Sequence, residues 1–308
     1  MTNKNPAFID CYGDLGKRFS LEMKSIIPNL DVFYDEPNNE QEIIKRINGR
    51  KNIMVYMSFL SSNILNSCSG LKTISYLSTG LQTHGDLKEA EKLDIIFEGV
   101  KGYGDRAVAE HTIALALSSI KKIVEMDNSV RSGNWKLIRT EEINGKTFGL
   151  IGLGAIGLET AKIASALGAN VIGWNRSDQT LDIPIKKVSL NEVLEKSDII
   201  SLHLAFNQET EKFFNKNLIS KTKRGVILIN TARAGIVDEK ALISELLSGH
   251  IGHCALDVFH NEPMPINHPI SKMKNVTLTP HSAWLTTQSI DKLLFAGLNL
   301  LKKHIEQS

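Results

Sequence analysis

The sequence predicts an α/β protein in which parallel sheets are flanked by helices. Three observations lead there. Short apolar runs alternate with stretches of helical periodicity along most of the chain. A long helix, apolar nearly all round, interrupts this alternation after Arg106, and a second α/β series begins at Lys146. In both series the strands are separated by helices, which favours crossover connections and parallel pairing.

In the first series Phe8 to Tyr12 reads as a strand, and Gly16 to Ile27 as a helix that ends near Pro28. Asp31 to Tyr34 is a second strand, and Glu40 to Ile47 a helix stopped by Asn48-Gly49. Asn52 to Met57 is the third strand, Ser61 to Ser67 a short helix, and Leu71 to Leu77 a fourth strand rich in β-branched and aromatic residues. His84 to Lys92 is helical and Asp94 to Phe97 makes a fifth strand. Arg106 to Met126 is expected to be one long helix. Its run Ile113, Ala114, Leu115, Ala116, Leu117 leaves no polar face, so it should be buried on most sides and cross from one domain to the next. Asp127 to Asn144 is polar and irregular.

The second series runs strand Thr147 to Ile151, helix Ala155 to Leu167 ended by Gly168, and strand Asn170 to Trp174. Leu190 to Lys196, Asn215 to Ser220 and Asp238 to Leu247 read as helices. Asp198 to Leu202, Val226 to Asn230, Cys254 to Val258 and Val276 to Thr279 read as strands. Asn261 to Pro269 holds three prolines and no element. Ser289 to His304 is a closing helix that fits either sheet.

Composition narrows the class. A chain of 308 residues makes one large or two medium domains. Hydrophobic residues are 42% and charged residues 23%, which argues against disorder and coiled coil. The net charge is +2 and no basic block occurs, so no nucleic-acid partner is expected. No apolar run is long enough for a membrane helix, and Met1 to Gly16 hold no signal-like segment, so a cytoplasmic protein is expected. Cys11, Cys68 and Cys254 are far apart and form no CxxC pair. They read as buried thiols, and no metal site is expected.

The strongest local signal is Gly152-Leu153-Gly154-Ala155-Ile156-Gly157, which follows a strand and opens a helix. In that context Gly152 permits a tight turn, Gly154 lets the backbone approach a pyrophosphate, and Gly157 lets helix and strand pack closely. Free amides at the helix start would face the phosphates. The bland alternative is a glycine-rich turn that serves packing alone. An acidic residue normally stands at the end of the next strand to hold the ribose hydroxyls. Here Trp174-Asn175-Arg176-Ser177 stands instead: no carboxylate, then a cation and a hydroxyl suited to a phosphate. NADP(H) is therefore expected to be favoured over NAD(H), with Asp178 and Asp182 close enough to restore some acidity.

Three further segments bring polar side chains to strand ends: Asn230 to Asp238, Leu256 to Pro263, and Thr279 to Trp284. With the glycine motif, their order and spacing resemble the D-isomer-specific 2-hydroxyacid dehydrogenases. Tyr103-Gly104, Ala109-Glu110-His111, Gly133-Asn134-Trp135 and Asn144-Gly145-Lys146-Thr147 agree with this, while the first 70 residues carry it weakly.

The resemblance implies two Rossmann-like domains, the nucleotide domain inserted into the substrate domain. Residues 1–103 and 285–308 would form a flavodoxin-like substrate-binding domain and 104–284 the dinucleotide-binding domain, with the active site in the cleft. It also implies a homodimer built through the nucleotide domains. It assigns catalysis to Arg233, Glu262 and His281, and substrate binding to Ser78, Thr79, Gly80 and Arg233; Trp284, directly after the histidine segment, reads as lining the substrate pocket or as core or rim. It assigns the nucleotide to Gly152, Gly154, Ala155, Ile156, Gly157, Asn175, Arg176, Ser177, Thr231, Ala232, Asp257 and His281. The implied reaction is NAD(P)H-dependent reduction of a small 2-oxo acid, with glyoxylate or hydroxypyruvate favoured by the run Pro280 to Trp284 and by the expectation that the chain lacks a C-terminal regulatory domain such as some phosphoglycerate dehydrogenases have. A bulkier D-2-hydroxy acid, or a non-catalytic nucleotide-sensing corepressor role, stays open beside it.

The chemistry is sound without the family. A 2-oxo acid needs a cation for its carboxylate and for the charge that grows on the carbonyl oxygen, and Arg233 offers forked donors. It needs a proton donor that works near neutral pH, a role histidine fills. Glu262 would orient that ring. The bland readings are a surface ion pair for Arg233, a loop histidine for His281 and a structural acid for Glu262. His111 and His203 read as packing or hydrogen-bonding residues, and Trp135 as core or rim. Two departures from the family pattern are Ala234, where glycine is usual, and Leu204-Ala205-Phe206, which lacks a proline after His203 and so predicts a less stiff loop.

Overall fold

A computed structural model describes residues 5–177 and 185–307 of the chain. Asp178 and Asp182 lie outside the described residues. The chain divides into two units, one made of the described residues up to Gly104 together with those from Leu285 onward, the other of Asp105–Trp284.

Unit 1 opens with β1 (Ala7–Phe8), α1 (Gly13–Arg18), α2 (Leu21–Ser25) and β2 (Asp31–Val32). The single helix expected over Gly16 to Ile27 is thus two. Phe19 leaves helical geometry, and the Ser20 hydroxyl accepts from the Met23 N–H, starting a new helix. α3 (Glu40–Ile47), β3 (Asn52–Val55), α4 (Ser62–Ser67), β4 (Thr73–Tyr76), α5 (Leu87–Lys92) and β5 (Ile96–Gly99) follow. Asn39, Ser61 and Asp86 cap α3, α4 and α5 in the same way. The five strands form one parallel sheet in the order β2-β1-β3-β4-β5. Its strands β3 and β4 are buried at every residue, as strands inside a parallel sheet covered on both faces are.

Unit 2 begins with α6 (Asp105–Ile120) and α7 (Ile123–Arg131). The long helix expected to cross between domains stops at Ile120, where Lys122 takes a left-handed conformation, and all of it belongs to unit 2. Its apolar girth has a local cause: Ile113, Leu115, Ala116 and Ile120 share a core with Phe148, Leu150, Ile199 and Ile229. Asp127 to Arg131, expected to be irregular, completes α7. Then come β6 (Thr147–Ile151), α8 (Ala155–Ala166), β7 (Asn170–Trp174), β8 (Lys186–Lys187), α9 (Leu190–Lys196), β9 (Ile199–Leu202), α10 (Lys216–Ile219), β10 (Val226–Asn230), α11 (Glu239–Leu247), β11 (Ile251–Leu256) and β12 (Val276–Leu278). They build a seven-stranded parallel sheet, β12-β11-β10-β9-β6-β7-β8. The direction of progression reverses between β6 and β9, and in such sheets ligands bind beyond the carboxyl ends of the strands at that point.

The last helix, α12 (Thr287–Gln307), belongs to unit 1, where it packs on β3 and β4. Gly297 makes the close approach possible, since a β-carbon there would lie 2.1 Å from Leu77 Cδ2 and 3.0 Å from Met54 Sδ. His304 is buried and bridges two strands, its Nδ1 3.0 Å from Ser75 Oγ and its Nε2 3.0 Å from Glu98 Oε2. At the other end the Arg18 guanidinium grips Asp291 through both carboxylate oxygens. The three cysteines are buried and unpaired, and burial pushes the Cys11 thiol up to about 12. Among the described residues no helix is long and apolar enough to cross a membrane.

Candidate active site

Three neighbouring strands of unit 2 deliver the chemistry. Arg233 follows β10, Glu262 follows β11 and His281 follows β12, and because these strands are adjacent and parallel, their carboxyl ends share one edge of the sheet. His281 Nδ1 donates to Glu262 Oε2 at 2.7 Å. The other carboxylate oxygen, Oε1, accepts from the Phe259 N–H at 2.8 Å, so the acid is fixed by its own loop before it meets the histidine. With Nδ1–H committed to Glu262, Nε2 is the nitrogen left to exchange a proton with a ligand. No protein partner reaches it among the described residues.

His281 sits at φ 50, in the left-handed region that a branched or ring-bearing side chain seldom occupies. Asp257 holds it there. This carboxylate is fully buried and accepts from the Thr279 hydroxyl at 2.6 Å, the Ser282 N–H at 2.9 Å and the Ala283 N–H at 3.0 Å. The Thr279 hydroxyl in turn accepts from His111 Nε2 at 3.0 Å, so α6 reaches the catalytic segment through a chain of hydrogen bonds. The sequence placed Asp257 among nucleotide contacts; in the structure both its oxygens organise the residues on either side of His281.

Arg233 is presented by a turn that Asn230 closes. The buried Asn230 amide donates to the Arg233 carbonyl at 3.0 Å and its oxygen accepts from the Ala232 N–H at 3.0 Å. The guanidinium makes one bond, to the Ala232 carbonyl at 2.8 Å, and its remaining donors have no protein partner among the described residues. Thr231 is buried, its hydroxyl 2.9 Å from Thr112 Oγ1. Ala234 begins a short 3₁₀ turn and does not sit at positive φ, so the methyl in place of hydrogen is harmless. Phe206 packs its ring against Gly235, and Asn207 and Thr210 close a hydrogen-bonded turn. The loop expected to be slack without proline is therefore held by other means.

The residues of the glycine motif fit a dinucleotide. Gly152 lies at φ +106, and a β-carbon there would meet the His203 carbonyl at 2.5 Å. A β-carbon on Gly157 would fall 2.2 Å from the Gly152 carbonyl. Above Gly154 nothing lies within 4 Å, and no side chain caps α8, so the first-turn amides around Ala155 and Ile156 face open space. Uncapped amides at a helix start suit the phosphates of a dinucleotide. At the end of β7, Asn175 Oδ1 accepts from the Leu153 N–H at 3.2 Å, while its amide donates to the Ser177 hydroxyl at 2.9 Å. His203 closes the floor. Its ring pairs with Ser201 Oγ at 2.9 Å, and burial pushes it down to about 4, so it is neutral there.

A match to the D-isomer specific 2-hydroxyacid dehydrogenase, NAD binding domain, spans residues 113–283. The chain is 36% identical over 279 residues to a glyoxylate reductase of Thermofilum pendens, covering 87% of this chain and 82% of that one. The chain belongs to the D-isomer-specific 2-hydroxyacid dehydrogenases. A hydroxypyruvate reductase of Thermotoga maritima is 34% identical over 248 residues, 79% of this chain and 80% of that one. Other similar chains carry the name D-3-phosphoglycerate dehydrogenase. The solved structure of an acyclic imino acid reductase (Bsp5) in complex with NADPH and D-Arg superimposes with a TM-score of 0.86 at 31% identity, covering 98% of this chain and 97% of that one.

This dehydrogenase is accordingly an oxidoreductase acting on CH–OH donors, with an NAD-binding domain of Rossmann type. The remaining residues assigned from the sequence lie elsewhere. Ser78, Thr79 and Gly80 form the loop after β4 in unit 1, where Thr79 donates to the Val100 carbonyl at 3.1 Å and the Gly80 N–H points to Ser78 Oγ at 3.4 Å. His84 Nε2 lies 3.0 Å from that same hydroxyl, and its ring stacks on Tyr76 at 4.7 Å. Trp284 ends unit 2 and is half-buried; Trp135 is 85% exposed and so is not core. Sequence reasoning missed the supporting work of Asn230 and Asp257, while the reading of His111 as a packing or hydrogen-bonding residue agrees with its bond to Thr279. Each acts through a partner distant in sequence or through the backbone, and neither leaves a local pattern.

Proposed function

We propose that the dehydrogenase reduces a small 2-oxo acid, glyoxylate or hydroxypyruvate, to the D-2-hydroxy acid, and prefers NADPH to NADH. The observation that carries the reaction type is the His281–Glu262 pair, 2.7 Å apart, with the outer ring nitrogen unengaged. Bound dinucleotide supplies the hydride. Arg233 holds the substrate carboxylate with its forked donors and stabilises charge on the carbonyl oxygen. His281 delivers a proton from Nε2 to that oxygen, and Glu262 fixes the tautomer and orientation of the ring. Asp257 and Asn230 keep donor and cation in place. For the small substrate, the support is the names of the relatives, glyoxylate reductase and hydroxypyruvate reductase. For NADPH, the support is the absent carboxylate at Asn175, the adjacent Arg176 and Ser177, and a related structure holding NADPH.

Absorbance at 340 nm with each cofactor against a panel of 2-oxo acids tests all of this. Turnover of glyoxylate or hydroxypyruvate well above that of bulkier aliphatic and aryl acids is the expected result. A preference for the bulkier acids overturns the substrate, faster turnover with NADH overturns the cofactor, and binding of nucleotide without turnover of any acid returns the sensor reading. We also propose that the protein works in the cytoplasm as a homodimer through unit 2. Ile123, Val124 and Val130 on α7, with Trp135 and Leu137 beyond it, stand exposed on that unit, the kind of apolar side chains that a partner copy would cover. Sedimentation at micromolar concentration tests the pairing.

A further inference from the structure

We propose that Glu209 sets how strongly the enzyme discriminates for the 2′-phosphate of NADPH, by serving as the counter-ion of Arg176 until the phosphate replaces it. This deepens the cofactor reading and rests on it. Arg176 NH1 and a Glu209 carboxylate oxygen form an ion pair across 33 residues of sequence. Both side chains are more than two thirds exposed, so a ligand can reach them. The carboxylate is delivered by a built turn. The Glu209 and Thr210 N–H groups donate to Asn207 Oδ1 at 2.9 and 3.1 Å, the Asn207 N–H donates to Thr210 Oγ1 at 2.8 Å, and that hydroxyl donates to the Ala205 carbonyl at 2.7 Å. The turn follows β9, which is separated from β7 only by β6 in the sheet.

The surroundings favour an anion. Lys187 Nζ lies 3.5 Å from the Ser177 carbonyl, adding a second cation beside Arg176. Asn175 turns its amide, not its oxygen, toward Ser177, which leaves the serine hydroxyl hydrogen free to be donated. Among the described residues, Glu209 is the opposing charge that pairs with Arg176. NADH, with a bare 2′-hydroxyl, can bind and leave the Arg176–Glu209 pair intact. NADPH brings a phosphate monoester of about −1.5 to −2 charge. It must displace the carboxylate from the guanidinium and then lie near it. Glu209 therefore weakens binding of the phosphorylated cofactor selectively. An acid that the end of β7 lacks is supplied, in diluted form, from the loop after β9.

The test measures Kd for 2′,5′-ADP and for 5′-AMP by titration calorimetry, in the wild type, Glu209→Gln, Arg176→Ala and the double variant. Glu209→Gln should bind 2′,5′-ADP about three- to fivefold more tightly at low salt, the scale of an exposed ion pair, with 5′-AMP unchanged within about 1.5-fold. The gain should vanish on the Arg176→Ala background. It should also shrink in 1 M salt, where the screening length falls to about 3 Å. A merely structural glutamate would show neither dependence. No gain in Glu209→Gln, an equal gain for 5′-AMP, or the same gain without Arg176 overturns the role of Glu209. Arg176→Ala weakening both nucleotides equally overturns the cofactor reading itself, and the role of Glu209 with it. A selective loss in Arg176→Ala without a gain in Glu209→Gln removes only the latter.

Discussion

Replacing Asp257 by asparagine separates two roles that the sequence cannot tell apart. The change keeps the size and removes one acceptor face. In the wild type Oδ1 takes the Thr279 hydroxyl and the Ser282 N–H, and Oδ2 takes the Ala283 N–H. If the new amide nitrogen occupies the Oδ2 position, it meets the buried Ala283 N–H donor to donor. If it occupies the Oδ1 position, it meets the Ser282 N–H and leaves the Thr279 hydroxyl, already accepting from His111, without its acceptor. Either way at least one donor is stranded, and two in the second case, at about 1–3 kcal/mol each, and the surviving bonds lose the charge that strengthens them. The expected loss of folding stability is about 2–4 kcal/mol. Part of it is regained by letting His281 relax from its left-handed conformation, which carries about 1–3 kcal/mol of strain. That relaxation moves the proton donor, and a misplacement of about 1 Å costs about 10²-fold in rate. Steady-state kinetics with saturating nucleotide and a urea titration check both numbers. The expected pattern is a kcat lower by about 10²-fold, a nucleotide KM within about threefold, and a lower urea midpoint. A normal kcat with a raised nucleotide KM would refute the positioning argument and return Asp257 to the nucleotide.

His281→Ala should lower kcat by about 10²–10⁴-fold with nucleotide affinity little changed, and near-normal kcat would sink the assignment. Glu262→Gln should lower kcat by about 10²-fold with nucleotide KM little changed, because a ring no longer held in one orientation misplaces Nε2; an unchanged kcat counts against the pair. Arg233→Lys should cut kcat/KM on glyoxylate or hydroxypyruvate by more than tenfold, since a point charge cannot reproduce the fork, and a loss under threefold is inconsistent with the role. His203, held down to about 4 by burial, refuses protons that the unfolded chain accepts from pH 6.5 downward. Its contribution is complete above pH 6.5 and drains away as pH falls toward 4, about 1–2 kcal/mol once partial solvent screening of the ring is allowed for. Urea midpoints at pH 7 and 5 should differ less in His203→Gln than in the wild type; equal differences would remove His203 from the acid response.

The strands that the sequence located to the residue, Thr147–Ile151, Asn170–Trp174 and Val226–Asn230, are central, apolar and followed by glycine or a polar turn. β8 escaped because two lysines at a sheet edge have no apolar period to read. The break at Lys122 escaped because helix propensity runs through it and only tertiary packing decides where α6 ends. Arg233, Glu262 and His281 were legible because each sits in a motif at a strand end. Their supports were not: Asn230 works on the backbone, His111 on a threonine 168 residues away, and Glu209 on an arginine 33 residues away. Pairings of that kind exist only once the sheet has brought its strand ends together.

The interrupted chain path of unit 1 imposes an order on synthesis. Unit 2 is one continuous stretch, so all seven strands of its sheet, and the loops that carry Arg233, Glu262 and His281, are in hand as soon as Trp284 has been made. Unit 1 has its five strands by Gly99, yet the helix that covers Met54 and Leu77 is translated only after the whole of unit 2. During elongation the older unit therefore waits with an apolar face uncovered, while the younger one can already fold. A chain halted before Thr287 would carry a finished nucleotide sheet beside an unfinished partner, a species open to chaperones and proteases at one end alone. The seal is made late, by Arg18 meeting Asp291 and by His304 seating between Ser75 and Glu98.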